Sequence, residues 1–146
     1  MSIKYKIILE YIKDLSIETP DPQSLVMARE YISKYSLMID ITSKALKNKM
    51  IEVYTKLIYE DKNKNKKQEA RSKKSHFEMI YSTVVELEEE KINPEILKKF
   101  ILCDLQIEIY PKIERSFFEI IKLSGFPDIQ IKTKIDFNKL YNSKKN

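Results

Sequence analysis

Residues 77–105, FEMIYSTVVELEEEKINPEILKKFILCDL, contain the change of pattern that decides the fold. Before Asn93, alternate residues share one side, which predicts a β-strand with one buried face: Phe77, Met79, Tyr81, Thr83, Val85 and Leu87. At Asn93 the pattern changes to that of a helix. Asn93 is a good N-cap, and Pro94 occupies the first helical position. The segment therefore predicts a strand followed by a helix.

Three earlier runs also alternate with a period of two residues and predict three more strands. The residues expected to share a face are Ile3, Tyr5, Ile7, Leu9 and Tyr11 in the first run, Tyr35, Leu37, Ile39 and Ile41 in the second, and Ile51, Val53, Thr55, Leu57 and Tyr59 in the third. Pro20 and Pro22 predict a long connection to about Lys34 between the first two strands. One long connection followed by shorter ones favours a Greek-key order.

The residues after the first helix predict a second one. Pro111 is expected to break or kink the chain, and a further helix is expected from about Lys112 until Gly125 ends it. The following IQIKTKIDF is expected to be extended, and residues 142–146 are expected to be a disordered tail. The sequence thus predicts a single α+β domain over residues 1–141, with a four-stranded antiparallel Greek-key sheet and two helices packed on one face.

Composition argues against most kinds of catalysis. The chain has one glycine, one cysteine and one histidine, so it has no glycine-rich phosphate loop and no internal disulfide. We see no nucleophile–base pair tied to His76, and Cys103 is expected to be a buried small apolar residue. The sequence therefore predicts a protein that is not an enzyme and that has no metal or cofactor. The charged N-terminal segment is neither a signal peptide nor a membrane span, which favours the cytosol.

The net charge of +5 is concentrated in one segment. Residues 62–74 contain seven basic residues and one acidic residue, which leaves the rest of the chain with about one net negative charge. The segment has no aromatic residues that could stack on bases, so it is expected to be a solvated hairpin loop. A basic RNA-binding protein stays open as an alternative, and it would bind RNA in a strongly salt-dependent way.

Three segments resemble the SecB family of protein-export chaperones, and together they span nearly the whole chain. The first is YIKDLSIETP at residues 11–20, and the second is DITSKALKNKMIEV at residues 40–53. The third begins at Tyr110-Pro111, continues to Gly125-Phe126-Pro127 and ends with IDFNKLY at residues 135–141. The order and spacing of these segments carry the resemblance, since no one of them is decisive alone.

The resemblance implies a function as well as a fold. It implies a dimer of dimers that binds unfolded precursor proteins and passes them to the SecA motor. Asp14 and Glu18 stand where SecB-like proteins place carboxylates that engage the basic, zinc-bearing tail of SecA. The client groove is implied to include Tyr35, Leu37 and Ile39 on the second strand, with Phe117, Ile120 and Ile121 as its helix wall.

Two alternatives to this interpretation stay open at the level of sequence. The apolar residues of the implied groove have the spacing of ordinary core residues, and Asp14 and Glu18 could be solvated charges at the end of a strand. A SecB-like chaperone could also serve one dedicated partner, such as the antitoxin of a toxin–antitoxin pair, in place of many precursors.

Overall fold

The computed structural model describes residues 3–61, 75–126 and 135–144. Four strands form one sheet: β1 (Tyr5–Glu18), β2 (Tyr35–Ala45), β3 (Met50–Asp61) and β4 (His76–Leu87). The helices are α1 (Pro22–Glu30), α2 (Pro94–Lys99), α3 (Leu105–Leu123) and α4 (Phe137–Lys144), with a 3-10 turn at Ile32–Lys34 and a π-helical turn at Phe100–Asp104. The lysine-rich segment 62–74 and most of the segment expected to be extended, residues 127–134, lie outside the described residues.

The strand order of the sheet is β1-β4-β3-β2, and every neighbouring pair is antiparallel. Strands β2, β3 and β4 are neighbours in both sequence and space, while β1 lies beside β4 at the far edge. This arrangement is a Greek key, because the long connection after β1 carries the chain across to the opposite edge. The α+β class and the four-stranded antiparallel sheet predicted from the sequence are therefore confirmed.

One face of the sheet, here called the covered face, packs against the helices. Odd-numbered residues of β3 and β4 point to this face and are completely buried at Val53, Leu57, Phe77 and Met79. Helix α3 supplies the opposing stripe, which recurs every four residues: Leu105, Ile109, Ile113, Phe117 and Ile121. Burial of this shared apolar surface is the main stabilising contribution to the fold.

Strand β1 departs from simple alternation at two places. Its pairing with β4 shifts by one residue between Ile7 and Leu9 and again between Ile12 and Asp14. Each shift is a β-bulge, and a single extra residue moves the following side chains to the other face. The expectation that Leu9 and Tyr11 share a face with Ile7 is therefore wrong beyond Ile7: Leu9 pairs with Val84 and Tyr11 with Ser82, and both are exposed.

The two helices expected on either side of Pro111 form one continuous helical segment from Pro94 to Leu123. Pro111 lies inside α3 and does not end it. A proline removes the hydrogen bond to the carbonyl four residues earlier, which belongs here to Ile107. Ile107 is 60% exposed. The lost bond therefore falls on the solvent side of the helix, while the buried stripe holds α3 on the sheet.

The structure has a helix in the connection between β1 and β2 that the sequence interpretation did not include. Asp21 caps α1 by accepting a hydrogen bond from the Ser24 main-chain nitrogen at 2.7 Å, and Pro22 is the first helical residue. This is the same pattern as Asn93-Pro94, where the Asn93 side chain accepts from the Glu95 nitrogen at 2.9 Å. The long connection expected from Pro20 and Pro22 is present, and within it Pro22 starts a helix.

Helix α4 replaces part of the expected tail. Residues 142–144 belong to α4, so the prediction of disorder is wrong for them, and residues 145 and 146 lie outside the described part. Phe137 of α4 packs its ring edge against Tyr110, and Cys103 Sγ lies 3.1 Å from Asn138 Oδ1. The π-helical turn makes this possible, because it buries four consecutive side chains, from Phe100 to Cys103, between the sheet and α4.

Candidate functional site

The bulge at Lys13 places two carboxylates on the face of the sheet that points away from the helices, here called the open face. After the bulge, Asp14 pairs with Ile80 and Glu18 with His76. Even-numbered residues of β4 face away from the helices, so Asp14 and Glu18 do as well, and both are exposed. Without the extra residue, the same carboxylates would point into the apolar core.

Further charged groups surround these two carboxylates at what we call the acidic end of the open face, formed by Asp14, Glu18, Glu60 and Glu78. His76 lies between two of them, with Nδ1 3.0 Å from Glu60 Oε2 and Nε2 3.4 Å from Glu78 Oε2. Lys56 Nζ contacts Glu78 Oε1 at 2.8 Å. That hydrogen bond is the main reason why the pKa of Lys56 is raised, and the nearby charges of Asp40 and Asp14 add to the effect. Acidic groups therefore outnumber basic ones here, which suits a basic partner.

Next to the acidic end, Glu52 accepts three hydrogen bonds from hydroxyl groups, an arrangement we call the hydroxyl cage. The donors are Tyr11 Oη at 2.5 Å, Tyr54 Oη at 2.6 Å and Ser82 Oγ at 2.6 Å, so the cage joins β1, β3 and β4. These bonds lower the pKa of Glu52 from 4.5 to about 2. Sequence reasoning missed the cage, because its members come from three strands and no local motif joins them.

The six residues of the implied client groove are divided between the core and the surface. Tyr35, Phe117 and Ile121 are buried. The Tyr35 ring packs on Tyr59 and Phe126, and its hydroxyl donates to the Ser75 carbonyl at 2.9 Å. Leu37, Ile39 and Ile120 are only partly buried. The buried three thus support the surface, and only the partly buried three could contact a client without rearrangement.

Apolar surface is available near these residues. Ile41 continues the line of Leu37 and Ile39 and forms, with Leu97 and Ile101 across from it, a cleft of about 340 Å³. Helix α1 exposes Val26 and Met27, Tyr31 directly after it is also exposed, and Leu123 at the end of α3 is 87% exposed. Exposed apolar side chains in such numbers are typical of surfaces that bind other chains.

A second apolar surface follows the edge strand β1. Ile8, Leu9, Ile12 and Leu15 are each more than 40% exposed. Helix α3 runs beside this edge, where Lys112 Nζ contacts Glu10 Oε2 at 2.9 Å and Glu108 accepts a hydrogen bond from Tyr5. An edge strand with unpaired main-chain groups and apolar side chains is a favourable surface for another chain.

No group of metal-binding side chains is present in residues 3–61, 75–126 and 135–144. Within the same ranges, none of the helices is both long and apolar enough to span a membrane.

Comparison with known proteins gives a family for this fold and these surfaces. The family model described as preprotein translocase subunit SecB matches residues 2–146. The chain belongs to the SecB family. A SecB-family relative from Pelagibacter ubique (strain HTCC1062), named provisionally as a protein-export protein SecB, is 44% identical over the full length of both chains. SecB-family proteins are chaperones that act in protein export.

A solved SecB-like structure has the same fold at much lower sequence identity. It is the SecB-like chaperone of Mycobacterium tuberculosis in complex with a peptide from the HigA1 antitoxin. The match has a TM-score of 0.63 at 11% identity and covers 90% of this chain and 88% of that one. This chain therefore has the same fold as the SecB-like chaperone.

Proposed function

We propose that this SecB-family protein holds unfolded precursor proteins in the cytosol and delivers them to the SecA motor without using ATP. The observation that carries the proposal is the full-length match to the SecB family, with 44% identity to a curated relative. A holdase of this kind acts by mass action: because it binds the unfolded client, it shifts the folding equilibrium of that client without an energy source.

Client binding uses the partly exposed side chains of Leu37, Ile39 and Ile120, supported from beneath by Tyr35, Phe117 and Ile121. Each short client segment buries little area, so its affinity is modest after the cost of ordering. Several such grooves on one oligomer would raise the overall affinity by roughly 10²–10⁴-fold. A dimer of dimers is therefore part of the proposed mechanism, and the exposed apolar edge of β1 supports it.

Delivery uses the acidic end of the open face. Asp14 and Glu18 are exposed on a surface where acidic groups outnumber basic ones. A basic tail of SecA would be attracted to this surface, which affects the association rate and specificity more than the affinity itself.

The first experiment is a mass measurement by light scattering, on the protein alone and mixed with an unfolded precursor. We expect about 70 kDa, four times the 17.4 kDa of one chain, and an increase by one client in the mixture. The mass of a single chain, unchanged when the client is added, would contradict the holdase proposal.

The delivery step is tested separately with Asp14→Lys. Reversal of one charge at the acidic end should weaken binding of SecA and leave client binding nearly unchanged. Asp104→Lys, on the exposed side of the helical segment, is a matched control for the charge change. Equal loss of SecA and client binding would contradict the assignment of Asp14.

A chaperone dedicated to one partner is the second candidate, and the fold neighbour in complex with an antitoxin peptide favours it. Such a protein would bind its partner tightly and would bind neither SecA nor unrelated precursors. The same binding measurements distinguish the two.

A further inference from the structure

Glu52 is unusual because it is a charged residue that is buried although it lies on the open face of the sheet. It is 9% exposed, and it is the one charged side chain among the buried residues of the described ranges. Removal of a carboxylate from water is costly unless hydrogen bonds replace the lost hydration. Here three hydroxyl donors do so, each within 2.6 Å. Charge-assisted bonds of this kind are shorter and stronger than neutral ones.

The cage holds β1 immediately before its second bulge. Tyr11 reaches across β4 to Glu52 on β3. Lys13, the extra residue of the bulge, also reaches β3: its Nζ is 3.3 Å from Tyr54 Oη and 4.4 Å from the centre of the Tyr54 ring. Both side chains that bracket Ile12 are therefore attached, directly or through Tyr54, to Glu52.

The position of this bulge decides which residues reach the acidic end. Ile12 pairs with Tyr81 on the covered side, and Asp14 pairs with Ile80 on the open side. Tyr11, Lys13 and Asp14 consequently all lie on the open face, which regular alternation does not allow. A shift of the extra residue along β1 would change the facing of every residue that it passes.

We propose that Glu52 is a positioning residue for partner binding: through Tyr11 and Tyr54 it fixes the bulge at Lys13 and thereby presents Asp14 and Glu18 on the open face. The inference rests on the proposed delivery to SecA, since that function gives the acidic end its partner. Glu52 acts through these other residues and does not need to contact the partner itself.

Two variants test the proposal from different sides. Glu52→Gln keeps the size of the side chain but replaces one acceptor oxygen with a donor, so that it cannot accept from all three hydroxyls. Tyr11→Phe removes one hydroxyl and no charge. Glu86→Gln removes an exposed carboxylate on β4 from the same face of the sheet and is the control for lost negative charge.

The first measurement needs no partner. Cross-strand nuclear Overhauser contacts between Asp14 and Ile80 and between Ser16 and Glu78 report the register after the bulge. We expect them to weaken or move in Glu52→Gln and Tyr11→Phe and to persist in Glu86→Gln. Unchanged contacts in both cage variants would overturn the proposal, whatever affinity is measured for the SecA peptide. If Glu52→Gln does not fold, Tyr11→Phe alone decides.

The second measurement is the affinity for a synthetic peptide of the SecA tail with zinc bound, in a double-mutant cycle. Glu52→Gln should weaken binding roughly ten-fold in the natural background and have little further effect once Asp14→Asn and Glu18→Gln are present, because coupled neighbours are not additive. A purely structural or long-range electrostatic role would give the same loss in both backgrounds and would contradict the proposal. A natural chain that fails to bind the peptide would refute delivery to SecA, while the register measurement would still decide the role of Glu52.

Discussion

At the scale of single residues, the hydroxyl cage shows how a sheet can keep a buried carboxylate on the side away from its core. Glu52 remains ionised because the hydrogen bonds from Ser82, Tyr11 and Tyr54 favour its charged form, and they lower its pKa from 4.5 to about 2. A group with a depressed pKa in the folded state contributes stability only while it is ionised. The cage therefore predicts a specific dependence of stability on pH.

Stability should respond to acid through Glu52. Above about pH 5 the carboxyl is ionised in both folded and unfolded chains, so its contribution is fully present; it is lost as the pH falls from 4.5 towards 2. The difference in unfolding free energy between the natural protein and Glu52→Gln should then be constant from pH 7 to pH 5.5 and shrink below pH 4.5.

The measurement is denaturant unfolding at fixed protein concentration over this pH range, because association makes stability depend on concentration. Glu86→Gln again serves as the control for the loss of one carboxylate. A difference for Glu52→Gln that stays constant down to pH 3 would show that the cage does not hold an ionised group.

At the scale of elements, the helical segment from Pro94 to Leu123 connects the sheet to α4. The π-helical turn contributes on both sides: the Phe100 ring packs edge-on against Tyr5 of the sheet, and Cys103 contacts Asn138 of α4. Because Cys103 is buried and is the one cysteine of the chain, its thiol reports whether α4 is docked. Burial also raises the pKa of this thiol, which lowers its reactivity further.

Loss of the Phe137 ring should undock α4 and expose this thiol. Phe137→Ala removes the contact with Tyr110, and we expect the reaction of Cys103 with a thiol reagent to become at least roughly ten-fold faster, as opening becomes easier by about 1.4 kcal/mol. Asn142→Ala, at an exposed position of the same helix, is the matched control. Equal rates in the natural protein and Phe137→Ala would mean that α4 does not shield Cys103.

The sequence predicted elements whose signals are local and missed features that depend on distant partners. Strands β2, β3 and β4 pair with one another without a register shift, and Asn93-Pro94 marks the start of the helical segment, so these elements were predictable. The bulges in β1 were not, since they depend on pairing with β4. Pro111 was misleading because tertiary packing held α3 together around it. For the site, the family resemblance pointed to Asp14 and Glu18, but only the bulge decides which face of the sheet carries them.

At the scale of the whole molecule, the two edges of the sheet differ in character. Strand β2 pairs with β3 without a register shift, whereas β1 is bulged twice and exposes apolar side chains on both of its faces. Beside this edge, α3 contacts β1 through Lys112 and Glu108. We therefore expect β1 and the adjoining side of α3 to meet a second copy of the chain.

A charge placed on this surface should prevent assembly without unfolding the chain. Leu9→Glu changes a side chain of β1 that is 54% exposed, so the fold should persist, but an unpaired carboxylate buried between copies would cost several kcal/mol. The mass measured by light scattering should fall below that of the natural assembly, with an unchanged circular dichroism spectrum. Leu123→Glu makes the same change at an exposed position at the end of α3 and should leave the mass as it is. An unchanged mass for Leu9→Glu would contradict the placement of the interface on β1.

The pairing of the first strand with the last has a consequence for the synthesis of this protein. Strand β1 leaves the ribosome first, yet its partner β4 ends only at Leu87, and the helices that cover the sheet come later still. Contacts between such distant parts of a chain form slowly, because a long loop must close first. During that interval the apolar side chains of β1 have no native neighbour. A member of a chaperone family thus begins as an unfinished chain whose own apolar side chains are exposed.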